Sequence, residues 1–132
     1  MNEPADLARG WFRKADNDLR TARLILEAGG PFDTGCFHCQ QAIEKWLKGY
    51  LALHRRDFPF THDLEVLARL CQTVSPSLEL PSPLLPELSD YAVNARYEFT
   101  PDPTQEDLRE ALGEAERLRC VILGAAKLDL GA

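Results

Sequence analysis

Two long runs of helical apolar periodicity, parted by Gly29-Gly30-Pro31, constrain this chain more than any other feature. Upstream, Ala8, Trp11, Phe12, Ala15, Leu19, Ala22 and Leu26 recur every three or four positions, with charged residues between them. That spacing lays one apolar stripe along a helix over residues 6–28. Downstream, Phe32, Cys36, Cys39, Ile43, Trp46, Leu47, Tyr50 and Leu53 repeat the pattern over residues 32–54. Glycine suits a helix C-terminus and proline cannot continue the backbone ladder, so the break ends the first helix and starts the second.

The rest of the chain continues in the same period. His54 to Thr61 is a connector, and Thr61 or Asp63 can cap a short third helix with Leu64, Leu67, Leu70, Cys71 and Val74 inward. Four prolines between Ser75 and Pro86 make that stretch loop. Residues 84–96 are helical by pattern, and Pro101 and Pro103 break the chain again. Thr104 and Asp107 form a capping box for a last helix that runs to about Leu128. No alternating strand pattern and no internal repeat appear. The expectation is an all-α, up-and-down antiparallel bundle of four long helices plus one short helix. It forms one domain over residues 1–132, with its core at about 6–128.

Gly35, Ala42 and Gly49 make a second line of small residues on the second helix. Glycine inside a helix costs about 1 kcal/mol relative to alanine, so this line implies close helix approach, within the bundle or between subunits. With Trp11 and Trp46 added, the apolar surface exceeds what a thin bundle needs. One stripe is therefore expected at the two-fold interface of a homodimer.

Composition bears on partners. Fifteen basic and 21 acidic residues leave a net charge of -6. Residues 1–56 carry +2 and residues 57–132 carry -8. A protein that coats nucleic acid by counterion release usually has the opposite sign, although a local basic groove remains compatible with this balance. No apolar run reaches the ~18 residues needed to span a bilayer. The polar, acidic start reads as no secretory signal, so no membrane partner and a cytoplasmic location are expected.

Cys36 and Cys39 are one helical turn apart, the spacing of half a zinc site or of a redox pair. They also lie on the apolar stripe, and a structural zinc site needs four ligands, so buried small hydrophobes are the expectation. No metal or cofactor is expected. His62 can act as a general base near neutral pH, or can cap the helix with Asp63 and tether the loop. Arg56, six positions earlier, can bind phosphate and with His62 cleave RNA, or can be a solvated surface residue. The string Tyr91-Ala92-Val93-Asn94-Ala95-Arg96-Tyr97-Glu98 gathers phosphate-binding and base-stacking groups before a proline break. Arg96 can equally pair with a carboxylate, and the tyrosines can pack with polar tips outward.

Taken in order, four strings resemble a known family. They are Trp11 to Ala22, Cys36-Phe37-His38-Cys39-Gln40-Gln41-Ala42-Ile43-Glu44-Lys45-Trp46-Leu47-Lys48, Thr61-His62-Asp63-Leu64, and Tyr91 to Tyr97. Together they look like the HEPN domain of prokaryotes over about residues 6–128. The resemblance implies a helical bundle, usually homodimeric, and commonly paired with a minimal nucleotidyltransferase (MNT) in a toxin–antitoxin arrangement. It also implies that metal-independent endoribonuclease activity is common in the family, through an arginine followed a few positions later by a histidine. Here Arg96 has no histidine among its next seven residues, and none follows His62 anywhere. The tyrosine that follows the histidine in members modified by their partner is missing with it. The reading is then an interaction or nucleotide-binding module for an MNT partner. Its candidate nucleotide contacts are Tyr91, Asn94, Arg96, Tyr97 and His62. One alternative is a ribonuclease using His62 with Arg56 or Arg96, and another is a purely structural dimeric bundle.

Overall fold

The computed structural model describes residues 3–80, 82–94 and 102–128, with only the backbone of Val93 and Asn94. It contains five helices: α1 (Pro4–Ala28), α2 (Phe32–Leu53), α3 (Leu64–Val74), α4 (Leu85–Asn94) and α5 (Gln105–Ala126). The described residues contain no strand. Pro4 opens α1, where its missing N–H leaves no bond unmade. Gly29 closes α1 in the left-handed region at φ 85°. Asp63 caps α3 by accepting from the backbone N–H groups of Glu65 and Val66. Thr104 and Asp107 form the reciprocal capping box of α5.

Side-chain neighbours set the helix directions. Gly49 lies against Phe12 and Gly35 against Ile25, so α1 and α2 are antiparallel. Arg23 meets Glu116 and Asp16 meets Arg119, so α5 runs against α1 and along α2. His62 meets Glu44 and Cys71 meets Leu47, so α3 follows α2 in the same sense. Ser89 meets Leu64, and α4 returns along α3. The order α1, α2, α4, α5 is the expected up-and-down set, and α3 is the extra short helix. The periodicity predicts four long helices, whereas α4 spans 10 described residues and three helices exceed 20. The last helix closes at Ala126, because Lys127 turns left-handed at φ 53°.

α2 is the axis of the molecule. Thirteen of its 22 residues are buried, and Trp46, Leu47, Ile43, Cys36 and Cys39 are wholly enclosed. The small line of Gly35, Ala42 and Gly49 packs inside the chain. A Cβ at Gly49 would stand 2.6 Å from Phe12, and one at Gly35 would stand 2.7 Å from Leu108. Trp46 is also internal, with Arg119 above its ring at 5.8 Å. Of the two approaches this line allowed, within the bundle or between subunits, the structure forms the first: that of α1 and α5 to α2.

The end of α2 is unusual. The N–H of Arg56 bonds the carbonyl of Leu51, and the N–H of Arg55 bonds that of Ala52. This double closure normally places glycine at the left-handed position. Here Arg55 occupies it at φ 57°, at a cost of about 1 kcal/mol relative to glycine.

The two kinds of helical glycine predict opposite outcomes. Gly49→Ala should lower stability by about 1–2 kcal/mol, because crowding against rigid Phe12 exceeds the gain in helix propensity. Gly113→Ala, whose Cβ meets nothing within 4 Å, should raise it by about 0.5–1 kcal/mol. Urea unfolding of the two variants checks both signs.

Candidate functional site

Helical geometry places Cys36, Gln40, Glu44 and Lys48 in one row along α2, each about 6 Å from the next. The apolar stripe of this helix is so wide that the row is enclosed as well: Gln40, Glu44 and Lys48 are all buried. A buried carboxylate is tolerable only when its oxygens are bonded. Glu44 meets that demand fully. Its Oε1 accepts from His62 Nδ1 at 2.7 Å and from Gln40 Nε2 at 3.1 Å, and its Oε2 accepts from Lys48 Nζ at 3.0 Å. Burial raises the carboxyl pKa. The bonds from His62, Gln40 and Lys48, with the Lys48 charge, outweigh it and hold Glu44 below the usual carboxylate range.

His62 is gripped twice. Its ring donates to Glu44, and its carbonyl accepts from Gln40 Nε2 at 3.2 Å. Asp63 performs the helix capping, and His62 tethers the connector to α2. The tether leaves Nε2 on a half-exposed ring. One turn beyond Gln40, α4 brings the Tyr91 hydroxyl beside the Cys36 thiol. Burial, with the charges of Asp107 and Glu87 nearby, pushes that phenol above its ordinary range. His62 and Tyr91 therefore flank the same row of α2.

The other predicted site residues divide. Asn94 is the last residue of α4, one turn after Tyr91. Arg96 and Tyr97 lie outside the described residues. Arg56 is exposed beyond α2, and among the described residues its side chain makes no hydrogen bond or ion pair with His62 or any other group. Glu44, Lys48 and Gln40 carry the site without having been singled out from sequence. The signal was their four-residue spacing within a helix whose neighbours are nearly all apolar.

A second cluster binds α1 to α2. Asp18 accepts from His38 Nδ1 at 2.8 Å and from Lys45 Nζ at 2.5 Å. Cys36, Cys39 and Cys71 are buried small hydrophobes, as their place on the stripes implied. Burial pushes the thiols of Cys36 and Cys71 up to about 12, and that of Cys39 upward too. Among the described residues no group of His, Cys, Asp and Glu could hold a metal ion. No described helix is long and apolar enough to cross a membrane.

Fold and site together define a small all-α bundle whose central helix carries a buried, fully bonded polar row beneath a tethered histidine. The family model described as the HEPN domain matches residues 8–125, and the chain belongs to the HEPN family. It is also similar to the crystal structure of TT1696 from Thermus thermophilus. The TM-score is 0.72 at 27% identity, covering 89% of this chain and 96% of that one. No curated protein matches the chain at a significant level.

Two outcomes follow from the row and the thiols. Because Glu44 is more acidic folded than its ordinary 4.5, its contribution to stability is present above that pH and is lost as the pH falls through the folded value. Acid titration of the melting temperature should show that loss, and Glu44→Gln should flatten it. The same substitution should lower neutral-pH stability by about 3 kcal/mol, since Lys48 loses its buried counter-charge. Thiol titration of the native protein should find one fast cysteine, the exposed Cys120, and the other three only after unfolding.

Proposed function

We propose that this HEPN domain is a binding module, not a catalyst. In this reading it pairs with an MNT-type nucleotidyltransferase in a toxin–antitoxin-like arrangement and works as a homodimer. It presents a nucleotide-facing surface built on Tyr91, Asn94, Arg96 and Tyr97, with His62 beside it. The observation that carries the reading is the double grip on His62. A ring bonded to buried Glu44 and a carbonyl bonded to Gln40 make this residue a tether for the connector. The family's general association with nucleotides and RNA supports a ligand of that class.

One specific observation favours the second reading, a metal-independent ribonuclease. A carboxylate on Nδ1 leaves Nε2 free and half-exposed, the arrangement a general base needs.

RNA incubated with the purified protein and a chelator separates the two. The binding-module reading expects intact RNA, a His62→Ala variant that is less stable, and weaker nucleotide binding after Arg96→Ala. Cleavage that disappears in His62→Ala would establish the nuclease instead. Co-expression with an MNT-type nucleotidyltransferase should yield a stable complex, and sedimentation should give a dimer at micromolar concentration. A chain that runs alone beside that partner defeats the pairing.

A further inference from the structure

The outer face of α5 carries a feature that the single chain does not use. Helical spacing puts Glu106, Arg109, Gly113, Glu116 and Cys120 on one line, and all of them are exposed. In the middle of that line, a Cβ built on Gly113 would meet nothing within 4 Å. Glycine inside a helix lowers stability relative to alanine, and no close approach within the described chain offsets that loss here. Gly35 and Gly49 differ, since their bare backbones admit Leu108 and Phe12. Beside Gly113 a groove of about 400 Å³ opens between α1 and α5, with Leu26 and Leu112 in its lining.

The charges of the groove are balanced and only partly used. Its lining holds two arginines, Arg23 and Arg109, and two glutamates, Glu27 and Glu116, on a chain of net -6. Both bonds from Arg23 to Glu116, at 3.1 Å and 3.0 Å, fall on Oε1. Among the described residues Oε2 of Glu116 accepts none. The ion pair of Arg109 with Glu106 spans 3.6 Å between side chains more than half exposed, beyond hydrogen-bond reach.

We infer that Gly113 is the crossing point of a two-fold dimer, in which α5 packs antiparallel on α5 of a second copy of this chain. The inference rests on the homodimer proposed above and names its face. Charge selects both the occupant and the sense. Arg109 stands about one turn before Gly113, and Glu116 about one turn after it. An antiparallel two-fold through Gly113 therefore sets Arg109 against the partner's Glu116, and does so twice. A parallel crossing would set Arg109 against the partner's Arg109. Two acidic chains repel over most of their surface but can meet at a neutral, self-complementary face. The bare backbone of Gly113 lets the helices approach closely at the crossing. Two turns out the crossing helices diverge, so Glu106 and Cys120 stay in solvent.

Sedimentation of the wild type and three variants at micromolar concentration tests this face. The wild type should be a dimer. Arg109→Glu and Glu116→Arg should each weaken the dimer by roughly tenfold or more, because each sets like charges together at two places. An equimolar mixture of these two variants should restore it, since every such contact then joins opposite signs. Glu116→Arg gives up only an exposed pair with Arg23, so its fold is kept. Gly113→Arg should give a monomer with the circular dichroism of the wild type, because the added side chain meets open space within its own chain. The gain expected from Gly113→Ala belongs to the single chain and is read below the dissociation concentration. Three results would overturn the inference. A wild-type dimer that all three variants retain moves the two-fold to another face and leaves the proposed homodimer standing. A mixture that stays monomeric removes the antiparallel charge match. A wild-type monomer removes the homodimer and its face together.

Discussion

A carboxylate enclosed in the central helix is the constraint on which the rest of this structure depends. Glu44 sits where α2 is surrounded, and an unbonded charge there would outweigh the burial of any one apolar side chain. Its partners must arrive together. Gln40 and Lys48 come from the same helix face, one turn either side, and His62 comes from the connector. A polar requirement of one residue thus fixes the path of a loop, places the start of α3 and covers one side of α2. A slip of α2 by one residue would turn Glu44 into hydrocarbon, so the same carboxylate also guards the packing register.

The proposed binding role rests on that geometry. A histidine committed to holding the connector fixes both ends of the α2 row. At one end of the α2 row, α4 brings Tyr91 to Cys36. At the other, the connector carries Phe60 outward over Lys48. The two ends are separated by about three helical turns.

Most of the architecture was legible because it rests on period and punctuation. Gly29-Gly30-Pro31, the prolines of residues 76–86 and the Thr104–Asp107 box each act through local backbone chemistry that needs no tertiary context. The site was legible only in part. His62 stood out as one of three histidines, but its partner did not, because Glu44 in sequence is simply a helix-forming residue beside a lysine. Only three-dimensional enclosure converts it into an obligatory ion pair. The line of Gly35, Ala42 and Gly49 shows the same limit from the other side. Sequence can show that something approaches closely there, while the distances to Phe12 and Leu108 show that it is the chain itself.

Asp16 and Asp18 hold α1 from two directions. Two residues apart on a helix means about 200° around its axis. Asp16 reaches Arg119 of α5, and Asp18 reaches His38 and Lys45 of α2. An apolar stripe resists a helix lifting away, but it opposes rolling only weakly, since neighbouring aliphatic groups are nearly interchangeable. A pair of directional bonds on opposite flanks acts as a torsional lock. α1 therefore has a defined rotational setting as well as a defined position. A partner that touches its outer face meets the same angular presentation of charges every time.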